Sequence, residues 1–371
     1  MNFDLILCLV FSACLSWLFL PMVLKVAFKK NLFDDCEKRK IHVGAVPRLG
    51  GVVFVPSVII VLCFLFGIFN IFPSVFTREI GIDDFSRLAL FNVALILLYL
   101  EGIVDDLIGL SYKTKLFFQC ISASFVVLSG VCFEDFYGLF GIGDLNSYVG
   151  VCLSIFIIVY LINALNFIDG IDGVASGLAL VAMAFMVGLL DIERDYLFVL
   201  ISYATMGSLA VFFCFNVFGN PEKHHKTFMG DCGSQTLGLI LASLFIYTSN
   251  VTNDVEYDIQ YSLPLSLGFI FIIFMDMIRV FFWRVFHRKS PFKPNNVHII
   301  HKFLALGIGR RTTMVIVITF QTLFCFVNLF FSAYQININF LVMIDIILWI
   351  VVNGILNIYM HRKHVGLPYK A

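Results

Sequence analysis

Eleven predominantly apolar stretches alternate with short polar segments along the chain: 3–24, 49–72, 86–104, 115–132, 148–166, 174–190, 196–218, 235–249, 260–283, 312–332 and 336–359. Most approach the roughly twenty apolar residues that one helix needs to cross a bilayer core, the eighth being short. Backbone groups inside hydrocarbon must bond within their own segment, so runs of this length predict helices. The pattern predicts an all-α, polytopic integral membrane protein with about eleven transmembrane helices. No long linker, low-complexity tract or internal repeat interrupts it, so residues 1–371 read as one domain.

Composition supports the pattern. Of 371 residues, 60% are hydrophobic and only 13% charged, and mean hydropathy is +0.95. Formal net charge is zero, which argues against a nucleic-acid partner. The ten cysteines are scattered with no C-x-x-C pair, so they read as small core residues and not as a disulfide framework or zinc site. Met1–Leu20 lacks a basic n-region, and its only charge is Asp4, so it reads as a first span and not as a cleaved signal.

The distribution of charge orients the chain. An outside N-terminus leaves only Arg78, Arg87 and Arg194 opposite the other lysines and arginines, while the loops around Glu134-Asp135 and Asp254–Asp258 are acidic. By the positive-inside rule the basic side is cytoplasmic, and so is the C-terminus. Five polar segments then fall together on that side: 38–51, 101–115, 163–173, 220–234 and 284–311.

Each segment carries residue types suited to anionic substrates. Asn163–Gly173 holds Asn166, Asp169 and Asp172 at successive i, i+3 steps, so neighbouring pairs share a face if the segment is helical. An acidic side chain at membrane depth costs roughly 2.5–3.5 kcal/mol, so such clusters usually serve a site. Asp105 and Asp106 are adjacent carboxylates that repel each other and call for a cation or a shared proton, with Lys113 and Lys115 just beyond. Gly230-Asp231 opens a span, where helix N–H groups and a carboxylate suit phosphate and a bridging metal. Arg39–Gly51 contains Arg48 within a Pro- and Gly-rich basic loop, and Arg284, Arg288, Lys289 and Lys293 form a basic cluster suited to a diphosphate. His298 and His301 are three apart and could share a helix face. Taken singly, each segment also fits a polar loop, a capped helix end or lipid-facing positive charge. Together they make an electropositive cytoplasmic cavity with several carboxylates, the equipment of metal-assisted phosphoryl transfer.

In order and spacing these segments resemble the polyprenyl-phosphate N-acetylhexosamine-1-phosphate transferase family, of the glycosyltransferase family 4 type. Arg39–Gly51 is similar to its R-x-x-H…P-R-x-G-G segment, and Asp105-Asp106 with Lys115 to its D-D…K motif. Asn163–Gly173 is similar to N-A-x-N-x-x-D-G-x-D-G, and Met229–Ser234 to M-G-D-x-G-S. One segment departs. Where family members usually carry P-D-R-x-H-I-H-H, this chain has Pro294-Asn-Asn-Val-His-Ile-Ile-His301, with Asn295, Asn296 and Ile300 at the altered positions.

The resemblance implies transfer of an N-acetylhexosamine-1-phosphate, foremost GlcNAc-1-phosphate, from a UDP-sugar to undecaprenyl or another polyprenyl phosphate in a bacterial inner membrane. UMP would be released on the cytoplasmic face and cell-envelope polysaccharide synthesis initiated. It implies Asp105, Asp106, His298 and His301 as catalytic groups. Lys115, Asn166, Asp169, Asp172, Arg48, Arg284 and Arg288 would bind substrate, and Asp231, Asp106 and Asn166 would hold Mg²⁺, with Mn²⁺ as a substitute. The expected partners are the UDP-N-acetylhexosamine, the polyprenyl phosphate and the lipid bilayer, with a homodimer compatible with all of this. A phospho-MurNAc-pentapeptide transferase is the alternative within the family. A transporter or flippase is the competing class, but it needs carboxylates near mid-membrane, whereas these motifs cluster at one face.

Overall fold

The computed structural model describes residues 3–32, 46–71, 82–190, 195–250, 261–288, 297–363 and 365. Among them the regular structure is helical, apart from one isolated bridge between Asp135 and Asp144. The helices are α1 (Phe3–Lys30), α2 (Phe54–Ile71), α3 (Ile82–Ile108), α4 (Tyr112–Leu128), α5 (Ser147–Ile168), α6 (Val174–Val187), α7 (Tyr196–Phe218), α8 (Gly230–Ser249), α9 (Ser262–Phe269), α10 (Phe271–Phe286), α11 (Ile299–Ala305), α12 (Arg310–Ala333) and α13 (Ile338–Arg362). Short 3-10 turns stand at Gly50–Val53 and Leu139–Gly141.

Each apolar stretch falls on a helix, and eight of the described helices are long and apolar enough to cross a membrane. Large apolar side chains such as Phe326, Phe330, Ile347, Ile350 and Ile358 stand exposed on α12 and α13, a surface suited to lipid and not to water. This is an all-α integral membrane protein. Three stretches differ from simple spans. Those at 115–132 and 174–190 form α4 and α6, of 17 and 14 residues. The stretch at 260–283 is not one rod: α9 and α10 meet at a 74° bend. Gln321 of α12 takes up the backbone groups released there. Its Nε2 donates to Gly268 O (3.0 Å) and Phe269 O (2.6 Å), and its Oε1 accepts from Ile272 N (3.1 Å). Such replacement partners are what make a broken helix tolerable away from water.

Contacts divide the chain into two compact units, each drawn from three separate stretches. The first holds Met1–Cys132, Val151–Ile162 and Leu190–Leu244, and the second Phe133–Gly150, Asn163–Leu189 and Phe245–Ala371. In the first unit α1 lies along α7. Ser16 Oγ is hydrogen-bonded to Ser57 Oγ (2.9 Å) and Ser208 Oγ (2.6 Å), while Gly207 brings the α7 backbone against that of Leu9. Small residues with interhelical hydrogen bonds are how helices associate where no hydrophobic difference drives them together.

The start of α8 is clamped within the same unit. Gly50 N donates to Phe228 O and Gly51 N to Met229 O, both at 2.9 Å, and Gly51 lies against the Gly233 backbone. A Cβ at Gly51 would collide with Gly233 main-chain atoms, which no rotamer change relieves. Gly51→Ala is therefore expected to cost roughly 1–3 kcal/mol through overpacking. A thermal-unfolding scan in detergent would reveal this as a lowered midpoint, and an unchanged midpoint would contradict it.

Candidate active site

The first unit gathers one cluster of charged residues around the C-terminal end of α3. Asp105 is 6% exposed, and its Oδ1 accepts from Leu110 N at 2.7 Å as Gly109, at φ +71°, turns the chain out of the helix. Ser111 then caps α4 by accepting from Thr114 N (3.3 Å). That fixes the register of α4 and swings Lys115 back, so that its ammonium pairs with Asp105 Oδ2 and lies 3.4 Å from Asp231 Oδ2. Asp105, Lys115 and Asp231 thus meet as the sequence suggested, although Asp231 is 116 positions from Lys115.

Asp106 has a different employment from its neighbour. Its Oδ1 accepts from Asp231 N (2.7 Å) and its Oδ2 from Cys232 N (3.0 Å), so one carboxylate takes two of the unpaired N–H groups at the start of α8. It also opposes the positive end of that helix dipole. This explains why α8 begins at Gly230 (φ +77°) and not at 235, where the apolar run begins. Arg48 is exposed, and its carbonyl backs Gly230 closely enough that a side chain there would strike it.

Glu101, one turn before Asp105 on the same face of α3, escaped the sequence reading. It is 4% exposed, and beside it Gln119 Nε2 donates to Gln235 Oε1 at 2.9 Å. Its spacing of four from Asp105 is the signal that could have drawn attention to it.

Among the described residues, no three carboxylate, histidine or cysteine side chains converge to chelate a metal by themselves. Mg²⁺ ordinarily takes one or two carboxylates and completes its shell with water and substrate phosphates. Asp231 and Asp105, sharing one ammonium between them, offer hard oxygens in that manner. The first cluster therefore fits a phosphate-bound divalent ion.

The second unit carries the other motifs. α5 ends at Ile168, Asp169 is its C-cap, and Gly173 (φ +79°) is the N-cap of α6. Only Asn166 of the expected helical series is in a helix. Asp169 and Asp172, both half-buried, sit in the tight turn between α5 and α6. Glycine at 170 lets α11 approach, because a Cβ there would stand 2.9 Å from Ile300 Cδ1 and 3.8 Å from His301 Nε2. Ile300 is fully buried against that turn, so the isoleucine at this altered position serves as packing. His298 and His301 do lie near one another, their ring centroids 6.4 Å apart.

The expected basic clamp is split. Arg284 is 1% exposed, with its guanidinium 5.5 Å from the centroid of the Phe167 ring, whereas Arg288 is exposed beyond the end of α10. Lys289, Lys293, Asn295, Asn296, Arg39 and His42 lie outside the described residues. Burial lowers the His301 imidazole below its ordinary value, reinforced by His298 and opposed by Asp276. Burial also brings the Lys302 amine down to about 7, with Arg279 adding to it and Asp276 opposing.

The sequence profile described as glycosyl transferase family 4 matches residues 88–249, from α3 to α8, and so includes Asp105, Asp106, Lys115, Asn166, Asp169, Asp172 and Asp231. A decaprenyl-phosphate N-acetylglucosaminephosphotransferase of Mycobacterium leprae (strain TN) is 30% identical over 300 residues, 76% of this chain and 72% of the relative. The chain belongs to glycosyl transferase family 4. Two relatives named undecaprenyl-phosphate alpha-N-acetylglucosaminyl 1-phosphate transferase are each 28% identical. That of Yersinia pestis aligns over 83% of this chain and 79% of its own length. That of Escherichia coli (strain K12) aligns over 81% and 76%.

In this glycosyl transferase family 4 member, two residues of the second unit were also missed from sequence. Asp276 and Arg279 lie inside the apolar stretch 260–283, and the side chains are joined by hydrogen bonds of 2.6 and 3.2 Å. A lone carboxylate in a span was the signal available.

Proposed function

We propose that this protein transfers N-acetylglucosamine-1-phosphate from UDP-N-acetylglucosamine to undecaprenyl or a related polyprenyl phosphate, releasing UMP and initiating cell-envelope polysaccharide synthesis. The carrying observation is the joint presence of the Asp105–Lys115–Asp231 cluster and relatives named for this transfer to decaprenyl and undecaprenyl phosphate. In the reaction a phosphate oxygen of the lipid attacks the phosphorus that bears the sugar. The bond from that phosphorus to the UMP oxygen breaks, and UMP leaves with the electron pair. Asp105 orients the lipid phosphate and accepts its proton where one is present. Lys115 neutralises developing phosphate charge beside it.

Asp231 is the best placed ligand for Mg²⁺, or Mn²⁺ in its stead, with Asp105 beside it and Asp106 holding the start of α8 in register. When bound, the ion would neutralise the diphosphate and ease departure of UMP. Asn166, Asp169 and Asp172 contact the nucleotide or the metal shell. His298, His301 and Arg284 hold the donor, and Arg48 and Arg288, each exposed, bind substrate phosphate. In the same reading all eleven apolar stretches belong to the membrane domain of a bacterial inner membrane. The N-terminus is outside, and the five polar segments face the cytoplasm, as the lysine and arginine asymmetry supports.

UMP release from purified protein, supplied with undecaprenyl phosphate, Mg²⁺ and a panel of UDP-sugars, tests this directly. The expected result is lipid-dependent release that is greatest with UDP-N-acetylglucosamine and abolished by EDTA. Preference for UDP-MurNAc-pentapeptide would move the protein to the peptidoglycan branch. No release with any donor would defeat the proposal.

A further inference from the structure

We infer that Asp276 is a positioning residue for His298. With Arg279, it fixes the hydrogen of that imidazole on Nδ1 and presents Nε2 to a hydrogen-bonding group of the sugar-nucleotide donor.

Asp276 is 1% exposed in α10, yet its two oxygens meet four donors. Oδ1 accepts from Arg279 Nη2 (2.6 Å), Arg279 Nε (3.2 Å) and Ile299 N (3.1 Å), and Oδ2 is 2.8 Å from His298 Nδ1. A carboxylate paired with a guanidinium can only accept hydrogen bonds, so Nδ1 must carry a hydrogen. Nε2 is then the one ring position left for another partner. It is buried and has none among the described residues. A buried polar atom that stays unpaired calls for an explanation, and a ligand group supplies one.

The ring is also held from other directions. Phe167 stacks on it with centroids 6.0 Å apart and planes 18° from parallel. Arg279 Nη2 donates to Val297 O at 2.6 Å, so the same pair anchors the backbone on either side of His298. His298 itself is the N-cap of α11 but its side chain makes no capping bond, which leaves the imidazole available. A carboxylate behind a histidine, setting its tautomer and direction, is a recurring way to prepare the far nitrogen for a ligand. This proposal rests on the transferase reading for the identity of that ligand, but not for the Asp276–His298 geometry.

The test uses the full-length protein in detergent. Asp276→Asn keeps the side-chain shape but offers Nδ1 an amide N–H, which drives the ring hydrogen to Nε2. The expected result is a 10–100-fold loss in kcat/KM for UMP release. In a His298→Ala background the same substitution is expected to cost nothing further, because both changes act through one group. Equal losses in both backgrounds would overturn the proposal and leave Asp276 as a backbone anchor only. Histidine ¹⁵N NMR of the unsubstituted protein, assigned by loss of a signal in His298→Gln, reads the tautomer without turnover. It should show a protonated Nδ1, and an unprotonated Nδ1 would overturn the proposal even if Asp276→Asn does not fold. If the native protein releases no UMP while Nδ1 is protonated, the transferase reading fails and the dyad stands.

Discussion

Asp105→Asn is expected to lower lipid-dependent UMP release by roughly 10²–10⁴-fold, the span ordinarily associated with loss of a positioned general base. The substitution is nearly isosteric, and the asparagine oxygen can still accept from Leu110 N, so the turn out of α3 keeps its hydrogen bond. What disappears is the negative charge facing Lys115, and with it the only proton acceptor of that pair that is almost wholly buried. Lys115 retains Asp231 as a partner at 3.4 Å and is about a quarter exposed, so its charge is not stranded. The thermal midpoint should therefore change little while turnover collapses. Full turnover in Asp105→Asn would refute the assigned role, whatever the midpoint did.

Asp106→Ala should behave in the opposite way, although the two residues are neighbours. Its carboxylate accepts the N–H groups of Asp231 and Cys232, and alanine leaves both unpaired at a helix start packed against glycine backbones. Buried donors without partners cost about 1–3 kcal/mol each. Loss of a negative charge at a helix N-terminus adds about 0.3–1 kcal/mol. A destabilisation of about 2–7 kcal/mol is expected on those grounds. Activity should fall along with it, because Asp231 is the residue whose main chain Asp106 secures. Thermal unfolding and UMP release measured on the same preparations separate the possibilities. An unaltered midpoint with abolished turnover would make Asp106 a direct participant in catalysis or metal binding instead of the anchor of α8. Asp106→Asn, which keeps one acceptor oxygen, should fall between the alanine variant and the native protein in stability.

The contrast between Asp105 and Asp106 shows how far sequence could be read. Their adjacency, the lysine beyond them and the glycine–aspartate pair at 230–231 all marked this region as chemical. Adjacent carboxylates look alike in a sequence, and the reason they differ is 125 positions away, at the start of α8. Glu101 illustrates the same limit. Its i, i+4 relation to Asp105 was visible, but its burial depends on α4 and α8 closing around it.

What the sequence by itself determined was the class of molecule. Apolar runs of membrane-crossing length leave helix as the main structure a backbone can adopt in hydrocarbon, and each run proved helical. It also singled out the short segments that are candidates for the chemistry, because polar clusters beside apolar helices are costly and stand out. Tertiary structure decided the rest. It broke 260–283 at the point where Gln321 could pair the released backbone, and it buried Arg284 against Phe167 while leaving Arg288 in the open. It assigned Asp276 to His298 across 22 positions and Asp106 to the amides of α8. Local pattern reports how much apolar or polar surface a segment offers. Which hydrogen-bond acceptor meets which donor is settled only when helices distant in sequence pack, since directional pairing has no period along the chain.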